Sequence, residues 1–351
     1  MTYIAKPVAR HPRMRPNALG LTPRDYEGTM STLCAGCGHD SVTAALIQAF
    51  WELDLEPHRL AKLSGIGCSS KTPTYFVRDA HGFNAVHGRM PSIAAGANAA
   101  NRDLLYVGIS GDGDSLSIGL GQFCHAIRRN VNMLYVLENN GVYGLTKGQF
   151  SASADVGSKA KGGDVNHQGP IDSVTLALTL GATFVARSFS GDKPQLVPIL
   201  KAGMRHHGFA FVDVISPCVT FNDHKGSTKS YAHTREHMHE VVHTDFVPLR
   251  SEITADYAEG SVKTVPMHDG SFVKLRKVDE SYNPTDRGTA VDYLNDAASK
   301  GEIPTGLLYM NEAGKDMHGF ENTVDRALVS VPYEELCPGS AALAELQKEW
   351  R

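Results

Sequence analysis

Residues Leu104 to Gln149 constrain this chain more than any other stretch. An apolar, strand-like run ends in Gly111-Asp112-Gly113-Asp114, and a second, Asn132 to Glu138, ends in Asn139-Asn140-Gly141. Between them Leu116, Leu120, Phe123 and Ile127 recur at i, i+4, i+7 and i+11, the spacing of one helical face. Strand, helix, strand over this length is a crossover between parallel strands. Open α/β sheets place their ligands at the carboxyl ends of such strands. The spacing therefore predicts that Asp112, Asn140 and the surrounding glycines meet at one spot.

Ligand chemistry says what that spot could hold. An Asp carboxylate, an Asn side-chain carbonyl and a backbone carbonyl in a tight turn are hard oxygen donors suited to Mg2+, which keeps phosphate and water ligands besides. Glycines let backbone amides approach a diphosphate at the start of the following helix. Each motif alone reads as an ordinary turn; their separation by one helix and one strand is what makes the pair informative.

The rest of the chain extends the same rhythm. We expect a helix over Asp40 to Leu53, a strand over Leu60 to Ile66 running into Gly67-Cys68-Ser69-Ser70-Lys71, a weaker strand over Phe83 to His87 and a helix over Ser92 to Asn101. After the central unit come a helix over Ile171 to Leu180, a strand over Ala182 to Arg187, a helix over Asp192 to Met204 and a strand over Phe209 to Ile215. These strands are continuous apolar runs, as expected when helices cover both faces of a parallel sheet. The fold class is thus α/β, a mostly parallel sheet with helices on both faces. Residues 151–170, rich in Ser and Gly, read as a mobile surface loop.

Three regions are expected: an N-terminal arm over 1–30 that drapes over a partner subunit, a domain over 31–222, and a C-terminal extension over 223–351 without a large core of its own. The extension opens with His224, His233, His237, His239 and His243, whose spacings match no zinc signature, and ends in a helix over Ser340 to Trp350. With 351 residues, 42% hydrophobic side chains and net charge −4, neither nucleic acid nor a membrane is expected as a partner. Lys6, Arg10, Arg13 and Arg15 are followed by no apolar signal-peptide core, so the expected compartment is the cytoplasm.

The cysteines form a second constellation. Cys34-Ala35-Gly36-Cys37-Gly38-His39 immediately precedes the first helix, whose positive end favours thiolate. A Cys-x-x-Cys pair serves redox disulfides, zinc sites or iron-sulfur sites. A thioredoxin-like site would follow a strand, and a zinc ribbon would usually carry a second close pair; here only the isolated Cys68 and Cys218 remain, each at a strand end. Four thiolates on the same rim as Asp112 suit a [4Fe-4S] cluster, although spacing alone leaves zinc open. Cys124, within the central helix, reads as a small buried hydrophobe, and Cys337 stands apart.

Taken in order, Gly36-Cys37-Gly38-His39, Gly67-Cys68-Ser69-Ser70-Lys71, His87-Gly88-Arg89, Gly111-Asp112-Gly113-Asp114, Arg128-Arg129-Asn130 and Tyr143-Gly144-Leu145-Thr146-Lys147-Gly148-Gln149 resemble the thiamine diphosphate-binding beta subunit of 2-oxoacid:ferredoxin oxidoreductases. The likeness spans about residues 30–222 and includes the thiamine motif, Gly-Asp-Gly followed by Asn-Asn. It implies a thiamine diphosphate-binding fold, with Mg2+ held by Asp112, Asn140 and the Val142 carbonyl. It further implies one [4Fe-4S] cluster on Cys34, Cys37, Cys68 and Cys218. Cofactor contacts are implied at His39, Cys68, Ser69, His87, Gly88, Gly111, Asp112, Gly113, Asp114, Asn140, Val142, Gly144 and Leu145. Lys71 would meet a substrate carboxylate, and Leu145 would line the substrate pocket.

The implied reaction is coenzyme A-dependent oxidative decarboxylation of a 2-oxoacid, with electrons passing through the cluster to ferredoxin. The stretch after Gln149 looks more like the 2-oxoglutarate branch, giving succinyl-CoA, than the pyruvate or branched-chain branches. Ser151-Ala152-Ser153 departs from the Ser-Pro-Thr of many relatives. No second α/β unit supplies the glutamate that activates thiamine, so an alpha subunit is expected to complete the site, in an alpha2beta2 assembly. A non-redox thiamine decarboxylase or ligase would keep Asp112 and Asn140 without a cluster. A zinc or electron-carrier module would keep only the cysteines.

Overall fold

A computed structural model of the chain describes residues 14–160, 162–242, 262–266, 272–276, 282–337 and 339–350. Its frame is an eight-stranded sheet in the order β2-β1-β3-β4-β8-β7-β12-β9. In chain order the strands are β1 (Leu60–Ser64), β2 (His81–Asn84), β3 (Leu105–Gly111), β4 (Met133–Asn139), a small hairpin of β5 (Val142–Tyr143) and β6 (Gln149–Phe150), β7 (Phe184–Phe189), β8 (Phe209–Ile215), β9 (Met238–Val242), a hairpin of β10 (Val262–Pro266) and β11 (Phe272–Arg276), and β12 (Ile303–Met310). All neighbours in the main sheet are parallel except β12 against β7.

Among the helices that pack on or beside it are α1 (Gly38–Glu52), α2 (Met90–Ala100), α3 (Leu120–Arg128), α4 (Ser173–Leu180), α5 (Lys193–Arg205), α6 (Tyr231–His237) and α7 (Arg287–Ser299). Side chains alternate across each strand, so one apolar run feeds two cores. In β4, Met133, Tyr135 and Leu137 pack with α2, α3, α4 and α7. Leu134 and Val136 pack instead with Val42, Leu46 and Phe50 of α1 and Leu196 and Leu200 of α5. Burying each such side chain contributes about 1.5–3 kcal/mol, which is why fully apolar strands persist at the sheet centre. Phe123 anchors the first core, its ring centroid 5.1 to 6.1 Å from those of Tyr135, Phe209 and Phe211.

Three features differ from the sequence reading. The helix expected to run evenly through Leu116, Leu120, Phe123 and Ile127 is broken: Gly113–Ile118 forms a π-helical turn, in which the Gly119 N–H donates to the Asp114 carbonyl, and only then does α3 begin. A Cβ on Gly88 would lie 2.7 Å from the Gly119 nitrogen, so this widened turn accommodates a backbone-to-backbone contact that an even helix would not.

Next, part of the extension joins the main sheet, with β9 and β12 closing one edge and α7 covering it. Pro304 and Gly306 punctuate β12 and obscured its pattern; Gly306 sits at φ +98° in a bulge against Val242. Finally, the described part of the arm, residues 14–30, folds back on the domain. Asn17 donates to the Tyr26 hydroxyl and the Trp51 carbonyl, and Tyr26 is fully buried. Residues 1–13 of the arm, with Lys6, Arg10 and Arg13, and His243 of the histidine-rich stretch, lie outside the described residues.

His206, at the end of α5, gives the fold an acid-sensitive point. It rests against Phe184, with Thr183 Oγ1 at 2.8 Å from Nε2, and burial, aided by His207, lowers its pKa from 6.5 to about 4. The unfolded chain therefore binds this proton first as pH falls, and stability drops between pH 6.5 and about 4. One such proton contributes a slope of at most about 1.4 kcal/mol per pH unit. Thermal unfolding followed from pH 7 to 4 should show a shallower decline for His206→Gln than for wild type; parallel declines would refute the assignment.

Candidate functional site: two strand tips and four thiols

β3 and β4 lie side by side in parallel register, Gly111 opposite Glu138, so the residues that follow them emerge together. Asp112 is 1% exposed. Its Oδ2 accepts hydrogen bonds from the Gly141 N–H (2.8 Å), the Ser151 hydroxyl (2.5 Å) and the Ser153 hydroxyl (2.6 Å). The first of these ties one strand tip to the other. Burial pushes the Asp112 carboxyl pKa up against those three donors, the condition in which a neighbouring cation offsets the cost of the charge.

Asn140 is 5% exposed and equally constrained. Its Oδ1 accepts from the Val142 N–H at 3.0 Å, and its backbone carbonyl accepts from Asn222 Nδ2 at 2.8 Å. Gly141 takes φ +74°, which turns the chain back over the tips. Gly113 must also be glycine, because a Cβ there would sit 2.4 Å from the Tyr143 ring, whose hydroxyl donates to the Gly113 carbonyl.

Asp114 lies 2% exposed with both oxygens engaged inside the chain. Its Oδ1 accepts from the Gly88 N–H at 2.7 Å and contacts His87, while Oδ2 accepts from the Ser110 hydroxyl at 2.6 Å. It thus splices the loop after β2 onto the tip of β3, bringing His87 and Gly88 to the site. The His87 ring stands edge-on to Tyr143, centroids 6.2 Å apart.

On the same rim His39, 1% exposed, opens α1. Its Nδ1 lies 2.6 Å from the Ser216 hydroxyl, and its Nε2 lies 3.5 Å from Asn140 Nδ2. Burial lowers its pKa to about 4, so it stands neutral at physiological pH. Ser69 is buried beside Gly111, with its Oγ 2.9 Å from where a Gly111 Cβ would be.

The four cysteines converge on this rim. A Cβ on Gly144 would lie 3.4 Å from Cys68 Sγ and 3.5 Å from Cys218 Sγ, so the β5–β6 hairpin covers that pair. Cys37 and Cys218 interact electrostatically, Cys68 senses both Cys34 and Cys218, and Thr220 Oγ1 approaches Cys34 Sγ at 3.5 Å. Their ionisation differs from the sequence reading. Cys37 does cap α1, but burial, together with Glu138 and the other thiols, pushes its pKa up to about 12. Burial raises Cys68 and Cys218 as well. The helix dipole is outweighed, and these thiols are neutral until a metal draws off their protons. Among the described residues no set of three or more His, Cys, Asp or Glu side chains closes around a single metal ion.

Lys71 stands half-buried three residues past Cys68, near enough to lower the Cys68 pKa, and no ion pair or hydrogen bond of its ammonium is found among the described residues. Leu145 is 48% exposed on the covering hairpin. A cavity of about 750 Å3 opens beside the tips, bordered by Tyr143, Ser151, Asn166, His167 and Gln168. Cys124 and Cys337 take no part in the cysteine group.

Several residues of the site escaped the sequence reading. Ser151 and Ser153, placed in a mobile loop, are 6% and 2% exposed and hold Asp112. Glu138, the one acid in an otherwise apolar stretch of β4, is fully buried with its pKa well above the usual range, for want of solvent; the Thr72 hydroxyl donates to it at 3.1 Å. A lone charge inside a central strand was the available signal.

Residues 65–214 match the thiamine pyrophosphate enzyme C-terminal TPP binding domain family. Over 211 residues the chain is 41% identical to the 2-oxoacid:ferredoxin oxidoreductase subunit beta of Saccharolobus solfataricus, covering 60% of this chain and 67% of that one. Against a solved 2-oxoglutarate:ferredoxin oxidoreductase from Magnetococcus marinus with 2-oxoglutarate, coenzyme A and succinyl-CoA bound, the TM-score is 0.70 at 30% identity, covering 88% of this chain and 91% of the other. The chain belongs to the beta subunits of the 2-oxoacid:ferredoxin oxidoreductases. This beta subunit is also 42% identical over 193 residues to the 2-oxoglutarate oxidoreductase subunit KorB of Mycobacterium tuberculosis, covering 54% of this chain and 51% of that one. The alignments to the two curated relatives thus span about two thirds and about half of their lengths. The paired strand tips fall within the matched thiamine pyrophosphate domain, as do Cys68 and Lys71, whereas Cys34, Cys37 and Cys218 flank it. No described helix is long and apolar enough to cross a membrane.

Proposed function

We propose that this chain binds thiamine diphosphate, Mg2+ and one [4Fe-4S] cluster in a coenzyme A-dependent 2-oxoglutarate:ferredoxin oxidoreductase completed by an alpha subunit. The observation that carries the reading is the hydrogen bond from the Gly141 N–H to Asp112, because it holds Asp112 and Asn140 together on the rim where the cysteines gather. The donor set fits: Asp112, Asn140 and the Val142 carbonyl are hard oxygens for Mg2+. Cys34, Cys37, Cys68 and Cys218 are soft ligands for iron.

When bound, thiamine diphosphate supplies the electron sink for decarboxylation, and an adjacent cluster supplies a one-electron exit. The chain's own residues position and shield. Gly113 and the π-helical turn give a diphosphate close access to backbone amides. Neutral His39 beside Asn140 can offer a hydrogen bond without adding charge. Lys71, lacking a carboxylate partner among the described residues, is suited to a substrate carboxylate. Leu145, 48% exposed on the covering hairpin, offers apolar surface suited to lining a substrate pocket.

The assignment to 2-oxoglutarate is supported by the 2-oxoglutarate relatives, one at 42% sequence identity and a solved structure at 30% sequence identity with a TM-score of 0.70. The alpha2beta2 assembly and a cytoplasmic setting belong to the same reading. Steady-state ferredoxin reduction by the complex of this chain with its alpha subunit should be fastest with 2-oxoglutarate, against pyruvate and a branched-chain 2-oxoacid. Equal rates on all three would overturn the substrate assignment, and full activity of this chain alone would overturn the shared site.

A further inference from the structure

Behind the strand tips runs a line of buried polar side chains that neither cofactor binding nor core packing explains. Ser153, whose hydroxyl meets Asp112 at 2.6 Å, also meets Asn139 Oδ1 at 2.9 Å. Asn139 Nδ2 donates to Asp213 Oδ1 at 3.1 Å, and Arg187 Nε donates to Asp213 Oδ2 at 2.9 Å. Arg187 NH2 in turn donates to Asp172 at 2.5 Å. Asn139, Asp213 and Arg187 come from the adjacent strands β4, β8 and β7, with Leu137 and Arg187 both level with Asp213. Ser153, Asn139, Asp213 and Arg187 are 2%, 4%, 1% and 8% exposed.

Stability is a poor reason for such a line. Apart from Glu138 and Ser188, the other residues of these strands are apolar, and a buried ion pair is often matched or bettered by apolar residues of like volume. What the line does achieve is orientation. Asp213, fixed by Arg187, accepts from the amide nitrogen of Asn139 and so leaves its Oδ1 turned towards Ser153. The Ser153 proton is then shared between that oxygen and Asp112 Oδ2, the same carboxylate oxygen that the Gly141 N–H holds.

We infer that Ser153, Asn139, Asp213 and Arg187 are positioning residues that set the Asp112 carboxylate for Mg2+. The inference rests on the proposal that Asp112 holds the cation with thiamine diphosphate. Groups of this kind typically change metal affinity about 10- to 100-fold when removed. Loss of the Ser153 hydroxyl or of the Asp213 charge is therefore expected to raise the Mg2+ concentration needed for half-maximal thiamine diphosphate binding about 10-fold. Ser153→Thr, which keeps the hydroxyl, should restore the wild-type value.

The test uses the complex with the alpha subunit, stripped of metal by chelation. Thiamine diphosphate binding is followed calorimetrically across a Mg2+ titration, with thermal unfolding measured in parallel. The expected result is a higher Mg2+ midpoint for Ser153→Ala and Asp213→Asn, and a wild-type midpoint for Ser153→Thr. A lower unfolding temperature with an unchanged midpoint would mean a packing role only and would overturn the inference, as would equal shifts in Ser153→Ala and Ser153→Thr. Asp112→Asn keeps the two claims apart. If it loses Mg2+-dependent binding while the Ser153 and Asp213 variants titrate like wild type, only the positioning role falls. If wild type binds thiamine diphosphate without regard to Mg2+, the underlying reading fails and takes this role with it.

Discussion

Asp112→Asn is expected to abolish Mg2+-dependent binding of thiamine diphosphate and to lower 2-oxoglutarate-dependent ferredoxin reduction at least about 1,000-fold, the several kcal/mol that a bound cation supplies. The magnitude follows from the surroundings. Asp112 is 1% exposed, and the Asn140 amide beside it cannot replace a negative charge. The same surroundings predict that the fold survives. An Asn oxygen can accept from Gly141, Ser151 and Ser153 as the carboxylate oxygen does, and burial already raises the Asp112 pKa, so the neutral amide avoids a desolvation cost. Metal-free unfolding temperature should therefore equal or exceed that of wild type. Binding that persists in Asp112→Asn would remove Asp112 from the cation site.

The reach of sequence reading here has a physical boundary. Central strands such as β8 are legible to the residue because burial on both faces demands an almost wholly apolar run, here broken only by Asp213. Asp112 and Asn140 are legible as a pair because a crossover unit fixes which strand ends become neighbours. Ser151 and Ser153 were not, since Ser and Gly suit a solvated loop and a buried turn equally well, and only the position of Asp112 decides between them. The break between Gly113–Ile118 and α3 was hidden because Leu116 before it and Phe123 and Ile127 after it are all buried, so their spacing reads as one continuous helix. The Cys37 pKa lies in the opposite direction to the helix-end reading: the helix start is visible in the sequence, whereas burial beside Glu138, Cys218 and Cys68 is a property of the assembled rim. Arg187 and Asp213 sit in strands otherwise read as core, their meaning visible only once β7, β4 and β8 lie side by side.

The most consequential of those hidden properties leads to the last expectation. Cys37, with a pKa pushed up to about 12, and Cys68 and Cys218, raised by burial, hold their protons at neutral pH in the absence of metal. Cluster loading would have to expel those protons, so iron retention should weaken as pH falls. Cys218→Ala, which removes the thiol after β8 that we propose as a cluster ligand, is expected to strip iron and sulfide from the complex and reduce ferredoxin reduction to background. Mg2+-dependent thiamine diphosphate binding should persist, because the Asp112–Gly141 hydrogen bond does not involve that residue. Cys124→Ala, on α3 and outside the cysteine group, should keep its iron. Metal analysis, the visible absorption band and ferredoxin kinetics on these proteins read the outcome. Zinc in place of iron in the wild-type complex, or undiminished ferredoxin reduction in Cys218→Ala, would show that electrons leave by another route.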